Sequence, residues 1–438
     1  MTTIFSAEAF HRFAAVLAQT ECLPRPALDA YQEGLLKRLA SFAYRHSPFF
    51  AERLKPLFRH GEEPDLRYWR EIPVLRRREL LTDIDRINPI RVPEEVGAVA
   101  TRRTSGTTTG VRMSFQICDM AKLAAEGMMH RLYRWHGFDL TAPMASIRYY
   151  SSGRRVYPNG ITEPSWCYAY EAPHYTLDYR TSVPDMVEWL MRHRPRYLLT
   201  FPSIAHDLAA QARIEHVKVD AIVGISELVS TDTAVDVQAK LGCEILRIYA
   251  CAEMGCIALH SEAEHEYEIC EETVLVEILD EGDNPVAPGE TGRVILTSLY
   301  NYATPFIRYE IGDYATLSDM PAASGRTLQK LKRVVGRKRN ALVRRSGDRL
   351  WDFDVITPQL REQFPSHCFL IEQPDLDTIV VSFVPDPARE VVPDQDALTS
   401  YFRGLLRTPV KLELKTVDAI VRSSGGKRER IVSAVAQQ

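Results

Sequence analysis

Ile222-Val-Gly-Ile225, then a run at helical spacing from Thr231 to Leu241, then Ile245-Leu-Arg-Ile-Tyr249: this stretch decides the fold. The two short apolar runs read as buried strands. The segment between them is long enough for a helix that crosses back over a sheet. Strand, helix, strand in that order argues for an α/β layered domain. The same alternation runs from about residue 98 to about residue 320.

Residues 1–60 read as helices. Phe10, Phe13, Ala14 and Leu17 share one helical face. Leu35, Leu36, Leu39, Phe42 and Ala43 repeat at helical spacing between Tyr31 and His46, and Ser47-Pro48 ends the run. Downstream, Val274 to Leu279 and Arg293 to Ser298 read as strands of a hairpin-like β unit, joined through Asp283-Asn284 and Pro288-Gly289. The pattern changes near 336–340. Beyond it, Thr378 to Val384 and Val410 to Val417 read as strands around a helix from about Asp396 to Arg407. The expected division is a large domain, 1–336, and a small α+β domain, 337–438.

With 438 residues the chain can bury a large core in two domains. A hydrophobic fraction of 45% and a charged fraction of 26% place it among soluble globular proteins. A net charge of −4 gives no electrostatic case for nucleic acid or an anionic membrane. No apolar run has the length of a membrane span. The N-terminus does not read as a signal peptide, and eight cysteines are too few for a disulfide scaffold. The expected location is therefore the cytoplasm, with reduced thiols.

Three stretches far apart could carry chemistry. Thr104-Ser-Gly-Thr-Thr-Thr-Gly-Val-Arg112 is a loop of hydroxyls and glycines whose amides and side chains can donate to phosphate oxygens. It lacks the Walker A spacing. Tyr249-Ala-Cys-Ala-Glu-Met-Gly255 offers a carboxylate fit for a hard cation. Ile307-Arg-Tyr-Glu-Ile-Gly-Asp313 ends on a carboxylate with two acceptor oxygens. Ile225-Ser-Glu227, Gly336-Arg337 and Gly425-Gly-Lys-Arg-Glu-Arg430 accompany them.

In this order the stretches resemble the adenylate-forming (AMP-binding) enzymes, most closely the phenylacetate–CoA ligase-like branch, which also takes in capsule-biosynthesis adenylyltransferase-like proteins. Ser47-Pro-Phe-Phe50 and Ile72-Pro-Val-Leu-Arg-Arg-Arg-Glu-Leu80 resemble the family's opening segments, so the likeness covers nearly the whole chain. It implies a multi-layer α/β N-terminal domain with an additional β subdomain and a small mobile C-terminal domain. It also implies ATP and Mg²⁺. A carboxylic acid, aromatic or polar, attacks the α-phosphate and releases pyrophosphate. The acyl-adenylate then passes to a thiol, with coenzyme A as the expected acceptor. A carrier-protein thiol or an amine is the alternative acceptor, and a non-catalytic nucleotide-binding homologue is a second alternative.

The resemblance also assigns residues. Thr104, Ser105, Gly106, Thr107 and Thr108 would hold the leaving diphosphate, while Thr109, Val111 and Arg112 depart from the family's Gly, Pro and Lys. Ser226 and Glu227 would line the adenine pocket, with Tyr249 stacked on the base beside Ala250. Glu253 would help hold Mg²⁺. Ala252 lacks the family's hydroxyl. Asp313 would bind both ribose hydroxyls. Gly336-Arg337 would form the hinge, although Arg339-Asn340 replaces the usual Asp-Asp pair. Lys427 would neutralise charge at the α-phosphate. Gly347 would leave room for a pantetheine arm.

Other groups stay open at this level. Nine basic residues stand against Asp348 between Lys330 and Arg349, including Arg344 and Arg345. They are either a solvated face or a contact for a phosphate-rich or acidic partner. Tyr149, Tyr150 and Arg154, with Trp166, Tyr168 and Tyr170 on one strand face, either line an acid-binding pocket or pack as core. Cys256, His260, His265 and Cys270 could hold a structural zinc, at spacings that match no standard finger. A monomer and a homodimer are equally compatible with the sequence.

Overall fold

The computed structural model describes residues 6–104, 113–150, 153–261, 266–320, 323–364, 368–385, 392–423 and 425–437. The chain divides into two compact units: residues 1–311 with 315–334, and residues 312–314 with 335–438.

The strand–helix–strand reading around residue 222 holds. Ala221–Gly224 and Glu244–Cys251 are strands, paired in parallel from Ala221↔Glu244 to Gly224↔Arg247. The helix Thr231–Leu241 crosses between them. The Ser230 side chain caps its start by accepting from Thr233 N, and Gly242 ends it at φ 69°, a left-handed conformation that costs a glycine little. Parallel strands Tyr197–Thr200, Met144–Arg148 and His174–Asp178 continue the sheet. Each needs a crossover connection, which explains the helices between them.

Among the described residues, twelve strands form one hydrogen-bonded sheet. The hairpin predicted downstream is present, Val274–Leu279 antiparallel to Thr291–Ser298. It does not stand apart as a separate subdomain sheet, because Glu244–Cys251 joins the two regions. Its first half pairs in parallel with Ala221–Gly224, and its second half pairs antiparallel with Gly255–His260. A bulge between Tyr249 and Ala250 marks the antiparallel half: Tyr249 faces Ala258, whereas Ala250 faces Cys256. The motif Tyr249–Glu253 therefore lies where a parallel sheet becomes antiparallel, at the carboxyl end of a parallel strand. Sites in open α/β sheets lie at the carboxyl ends of their strands.

The N-terminal helices Ala7–Thr20 and Arg25–His46 cover this unit. Phe10 and Leu17 are buried, and a Cβ on Gly127 would meet Phe13 at 2.7 Å, so the first helix lies close against the helix Asp119–Trp135. A buried cluster ties the two together. Arg131 pairs with Glu21 at 3.2 Å and with Glu272 at 2.5 Å, and Glu272 also accepts from Thr20.

The second unit is α+β. Its four-stranded sheet runs Lys411–Thr416, Thr378–Phe383, Phe369–Asp375, Ile431–Ser433. The helix Gln395–Leu406 packs Leu398, Phe402 and Leu406 into a core with Phe369, Ile371 and Val381. One expectation fails in the first unit. Trp166, Tyr168 and Tyr170 do not alternate along a strand, since residues 164–173 form turns, with Ala169 at φ 67°. Their aromatic spacing imitates a strand that a left-handed residue forbids.

Candidate active site

The Thr/Ser/Gly loop has a defined neck. Strands Val99–Arg103 and Ser114–Cys118 form an antiparallel ribbon, and the loop joins them. Thr104 N donates to Met113 O at 2.9 Å, and Met113 N donates to Thr104 Oγ1 at 3.0 Å. The Thr104 hydroxyl thus closes the loop at its base. Ser105, Gly106, Thr107 and Thr108, with the departures Thr109, Val111 and Arg112, lie outside the described residues.

Arg77 reaches the same neck, with Nη2 3.4 Å from Thr104 Oγ1. It begins the helix Arg77–Ile87. The preceding segment is stitched to strand Tyr309–Leu317: Leu75 N donates to Arg308 O at 2.8 Å, and Glu310 N to Leu75 O at 3.0 Å. Arg76 points elsewhere, to Glu310 and Asp283.

Glu253 occupies the turn between strands Glu244–Cys251 and Gly255–His260 and is buried. Gly255 at φ 74° permits so tight a turn. Tyr309 links this turn to the loop neck. Burial pushes its phenol upward; Glu253 adds to that rise and Arg77 opposes it. Thr104, Arg77, Tyr309 and Glu253 therefore share one region of the first unit, with a cation, a carboxylate and two hydroxyl-bearing side chains. The carboxylate and hydroxyl oxygens are hard donors, so the set fits magnesium. Arg308, by contrast, is structural: it is buried, donates to Arg70 O at 3.0 Å and to Ile72 O, and pairs with Glu277 at 3.1 Å.

The other motif residues lie on and beside strand Glu244–Cys251 and its parallel neighbour. Tyr249 is buried in the large core cluster of this unit, while Ala250 and Ala252 are exposed. Ser226 adopts φ 67°, a left-handed conformation that glycine takes without strain. Glu227 accepts from Ser203 N at 2.9 Å and Ser203 Oγ at 3.0 Å, at the start of the helix Pro202–Ala209.

In the second unit, Arg337 Nε lies 3.6 Å from Asp313 Oδ1. Asp313 follows Gly312 at φ 88°, and Arg337 follows Gly336 at φ 91°. Lys427 sits in a tight turn: Ser423 N donates to Lys427 O at 2.8 Å, and Lys427 N to Ser423 Oγ at 3.2 Å. Arg339 Nη2 is 2.6 Å from Glu429 Oε1, and Asn340 Nδ2 donates to Ile431 O at 2.7 Å.

Gly347 lies in the hairpin between Leu342–Val343 and Arg349–Leu350 at φ 89°, and no described atom lies within 4 Å of where its Cβ would be. The left-handed turn accounts for the glycine, and the space beside it is open among the described atoms. The basic run is partly neutralised. Lys330 pairs with Glu266 at 2.9 Å, and Arg345 with Asp377. Arg344 donates to Leu405 O at 2.9 Å.

The three substrate-pocket candidates differ in exposure. Tyr149 and Arg154 are exposed. Tyr150 is buried between guanidinium groups, Arg155 at 4.3 Å and Arg148 at 5.1 Å from its ring centroid. The four candidate zinc ligands do not form one set among the described residues. Cys256 and Cys270 belong to the hydrophobic core. His260 Nε2 is engaged with Arg247 at 2.8 Å, and His265 lies outside the described residues. Among the described residues no group of three or more His, Cys, Asp or Glu side chains could hold a metal ion. Nor is any helix among them long and apolar enough to cross a membrane.

No protein-family model matches this chain. A crystal structure of 2-hydroxyisobutyryl-CoA ligase, in the postadenylation state with R3-HIB-AMP, superposes with a TM-score of 0.75 at 16% identity, covering 95% of this chain and 91% of that one. ATP-bound MatB from Rhodopseudomonas palustris gives a TM-score of 0.54 at 14% identity, covering 77% of this chain and 67% of that one. These likenesses show the fold. In sequence, a phenylacetate-coenzyme A ligase from Thermus thermophilus is 25% identical over 357 residues, 74% of each chain. The chain is thus similar in sequence to a phenylacetate-coenzyme A ligase and shares the fold of 2-hydroxyisobutyryl-CoA ligase and MatB. Arg77, Met113 and Tyr309 are the residues around the loop neck and the Glu253 turn that motif reading left unassigned. Arg77 stands in a run of three arginines that diverge around a helix start, so spacing alone could not choose it.

Proposed function

We propose that this chain is an ATP-dependent acid–thiol ligase that makes an acyl-adenylate and passes the acyl group to coenzyme A. The observation that carries the reading is that Arg77 reaches Thr104 at the loop neck while Tyr309 feels both Arg77 and the buried Glu253 of the adjoining turn. The likeness to a phenylacetate-coenzyme A ligase supports it.

In this reading the loop amides and hydroxyls bind the β- and γ-phosphates, and Arg77 places a fixed positive charge beside them. Glu253 and neighbouring oxygens would hold magnesium, which when bound offsets phosphate charge. Tyr249, Ser226 and Glu227 bound the adenine, and Asp313 accepts from the ribose hydroxyls with Arg337 steadying its carboxylate. Lys427 neutralises charge as the substrate carboxylate attacks the α-phosphate. The carboxylate oxygen forms the new bond to phosphorus, and pyrophosphate leaves. The coenzyme A thiolate then attacks the acyl carbon, and AMP leaves.

Pyrophosphate release with ATP and a panel of carboxylic acids, with and without coenzyme A, tests it. Acid-dependent pyrophosphate and an acyl-CoA product are expected. Pyrophosphate without acyl-CoA would move the acceptor to a carrier-protein thiol or an amine. No pyrophosphate with any acid would leave a nucleotide-binding homologue without turnover.

A further inference from the structure

Strand Met144–Arg148 runs parallel to Tyr197–Thr200, and that strand to Ala221–Gly224 and on to Glu244–Cys251. Their carboxyl ends therefore lie along one edge of the sheet. Arg148 ends the first strand at that edge, Ser226 stands two residues past the end of the third, and Tyr249 lies near the end of the fourth. Registered residues of parallel strands share a face. Ser146 is registered with Leu199, Leu199 with Val223, and Val223 with Leu246. Those three apolar residues belong with the core that takes Met128, Leu132 and Tyr133 from the helix Asp119–Trp135. Arg148 is two residues past Ser146, so it leaves the strand on that same face, at the carboxyl edge.

The polar groups beside Arg148 satisfy one another. Ser146 Oγ lies 2.7 Å from His174 Nε2, and His174 Nδ1 lies 3.1 Å from Glu163. Arg155 pairs with Glu163 and donates to Thr176 Oγ1 at 2.8 Å. Asp178, registered with Arg148, accepts from Arg180 at 2.7 and 2.9 Å. Two groups are left over. The Arg148 side chain is exposed, and among the described residues no carboxylate pairs with it. Its guanidinium carbon stands 5.1 Å from the centroid of the Tyr150 ring, which Arg155 approaches at 4.3 Å. Tyr150 is only 9% exposed, and its buried hydroxyl has no hydrogen-bond partner among the described residues.

A buried hydroxyl without a partner is costly, and an oxygen brought by a ligand recovers that cost. A guanidinium resting on a ring presents a planar fork of donors, which matches a carboxylate. Asp178 answers Arg180 and Glu163 answers Arg155, so the positive charge of Arg148 is in excess on this patch. We propose that Arg148 and the Tyr150 hydroxyl determine specificity at the acyl site by binding a second carboxylate, so that the acid this chain activates is a dicarboxylic acid. Half-buried Leu199 on the neighbouring strand offers apolar surface to the hydrocarbon between the two carboxylates. This rests on the adenylation reading and adds the class of acid.

The test uses the full chain and its Arg148→Leu, Arg148→Lys and Tyr150→Phe variants, each checked for wild-type circular dichroism. Arg148→Lys and Tyr150→Phe change least, so the comparison survives if Arg148→Leu does not fold. The probes are glutarate, adipate and suberate beside the mono-acids of equal length, and 4-carboxyphenylacetate beside phenylacetate. Two readouts are taken: pyrophosphate release, and the shift in melting temperature on adding each acid with ATP. Hydroxylamine replaces coenzyme A as acceptor, so that no coenzyme A phosphate can occupy Arg148. In the wild type, kcat/KM should favour at least one diacid over its mono-acid by about tenfold or more, because a site with donors for an anion rejects the analogue that lacks it. Arg148→Leu should reverse that order. Arg148→Lys, which keeps the charge without the fork, should retain the order at a lower ratio, and Tyr150→Phe should also lower the ratio. Turnover with the same ratio in wild type and Arg148→Leu overturns the assignment and leaves adenylation standing. A diacid preference seen only in the melting shifts and lost in Arg148→Leu, with no pyrophosphate, sustains the assignment and overturns adenylation. No diacid preference in either readout overturns the assignment.

Discussion

Arg339 and Glu429 form an ion pair at 2.6 Å, and Glu429 stands two residues after Lys427. After Gly336-Arg337 the chain carries Arg339-Asn340. Both hold the Lys427 segment, Arg339 through Glu429 and Asn340 through the Ile431 carbonyl. The positive charge of Arg339 is thus matched within the second unit by an acid in the C-terminal segment.

Lys427→Ala leaves that ion pair and the Ser423 turn untouched, since the turn uses the backbone of Lys427. It should lower pyrophosphate release by about a hundredfold or more, the scale of losing one charge-stabilising donor. Thioester formation from a supplied acyl-adenylate should be largely retained. Equal loss of both half-reactions in folded protein would argue against the assigned role.

At the loop neck, Thr104→Val keeps the shape and removes the acceptor of Met113 N. Stability should fall by about 1–2 kcal/mol, the cost of one buried amide left unpaired. Activity should fall further than the stability loss alone explains, because the loop ends are no longer clamped. Thr104→Ser should restore both. Urea unfolding and pyrophosphate release on the same samples separate the two effects.

Asp313→Ala should weaken ATP binding by about 2–3 kcal/mol if its oxygens accept from the ribose. Arg337→Ala should weaken it less, since Arg337 acts only through Asp313 at 3.6 Å. Calorimetry with ATP gives both values. Unchanged affinity in Asp313→Ala removes the residue from the site.

His174 gives the fold a pH dependence. Its Nε2 lies 2.7 Å from Ser146 Oγ, and its Nδ1 lies 3.1 Å from Glu163. Burial pushes the imidazole down to about 4, against the pull of Glu163 and with the help of Arg148. The folded value lies below the unfolded one of about 6.5, so the unfolded chain takes up the proton first. Stability is full above about pH 6.5 and is lost as pH falls toward 4, by about 3 kcal/mol for a drop of this size. Urea midpoints at several pH values should fall more steeply for the wild type than for His174→Asn. Parallel slopes would show that His174 does not titrate this way.

Much of this was legible in the sequence. Ile222 to Tyr249 announced its strands and helix because β-branched runs and a capped helix obey local rules, and Ser230 and Gly242 mark the helix ends where propensity places them. The loop, the Glu253 turn and Asp313 were legible as motifs. Three things were not. Arg77 was hidden among neighbours of the same type, because direction around a helix start is a three-dimensional property. The turn at Trp166–Tyr170 imitated a strand, because alternation of aromatics is the same whether or not one residue turns left-handed. The continuity of the large sheet depended on one strand pairing differently along its two edges, and pairing partners leave no trace in a single segment.

That shared strand sets the tolerance of this site to length changes. Opposite Tyr249 and Ala250 the partner strand advances by two residues, so one extra residue is absorbed and the hairpin keeps its phase. Most surface turns accept an added or lost residue as slack. Here a single insertion or deletion on either side of the bulge would invert the alternation, turning Tyr249 out of the core and changing which side of the hairpin Glu253 presents. The residue count of this hairpin is therefore constrained as tightly as the identities of Tyr249, Glu253 and Gly255.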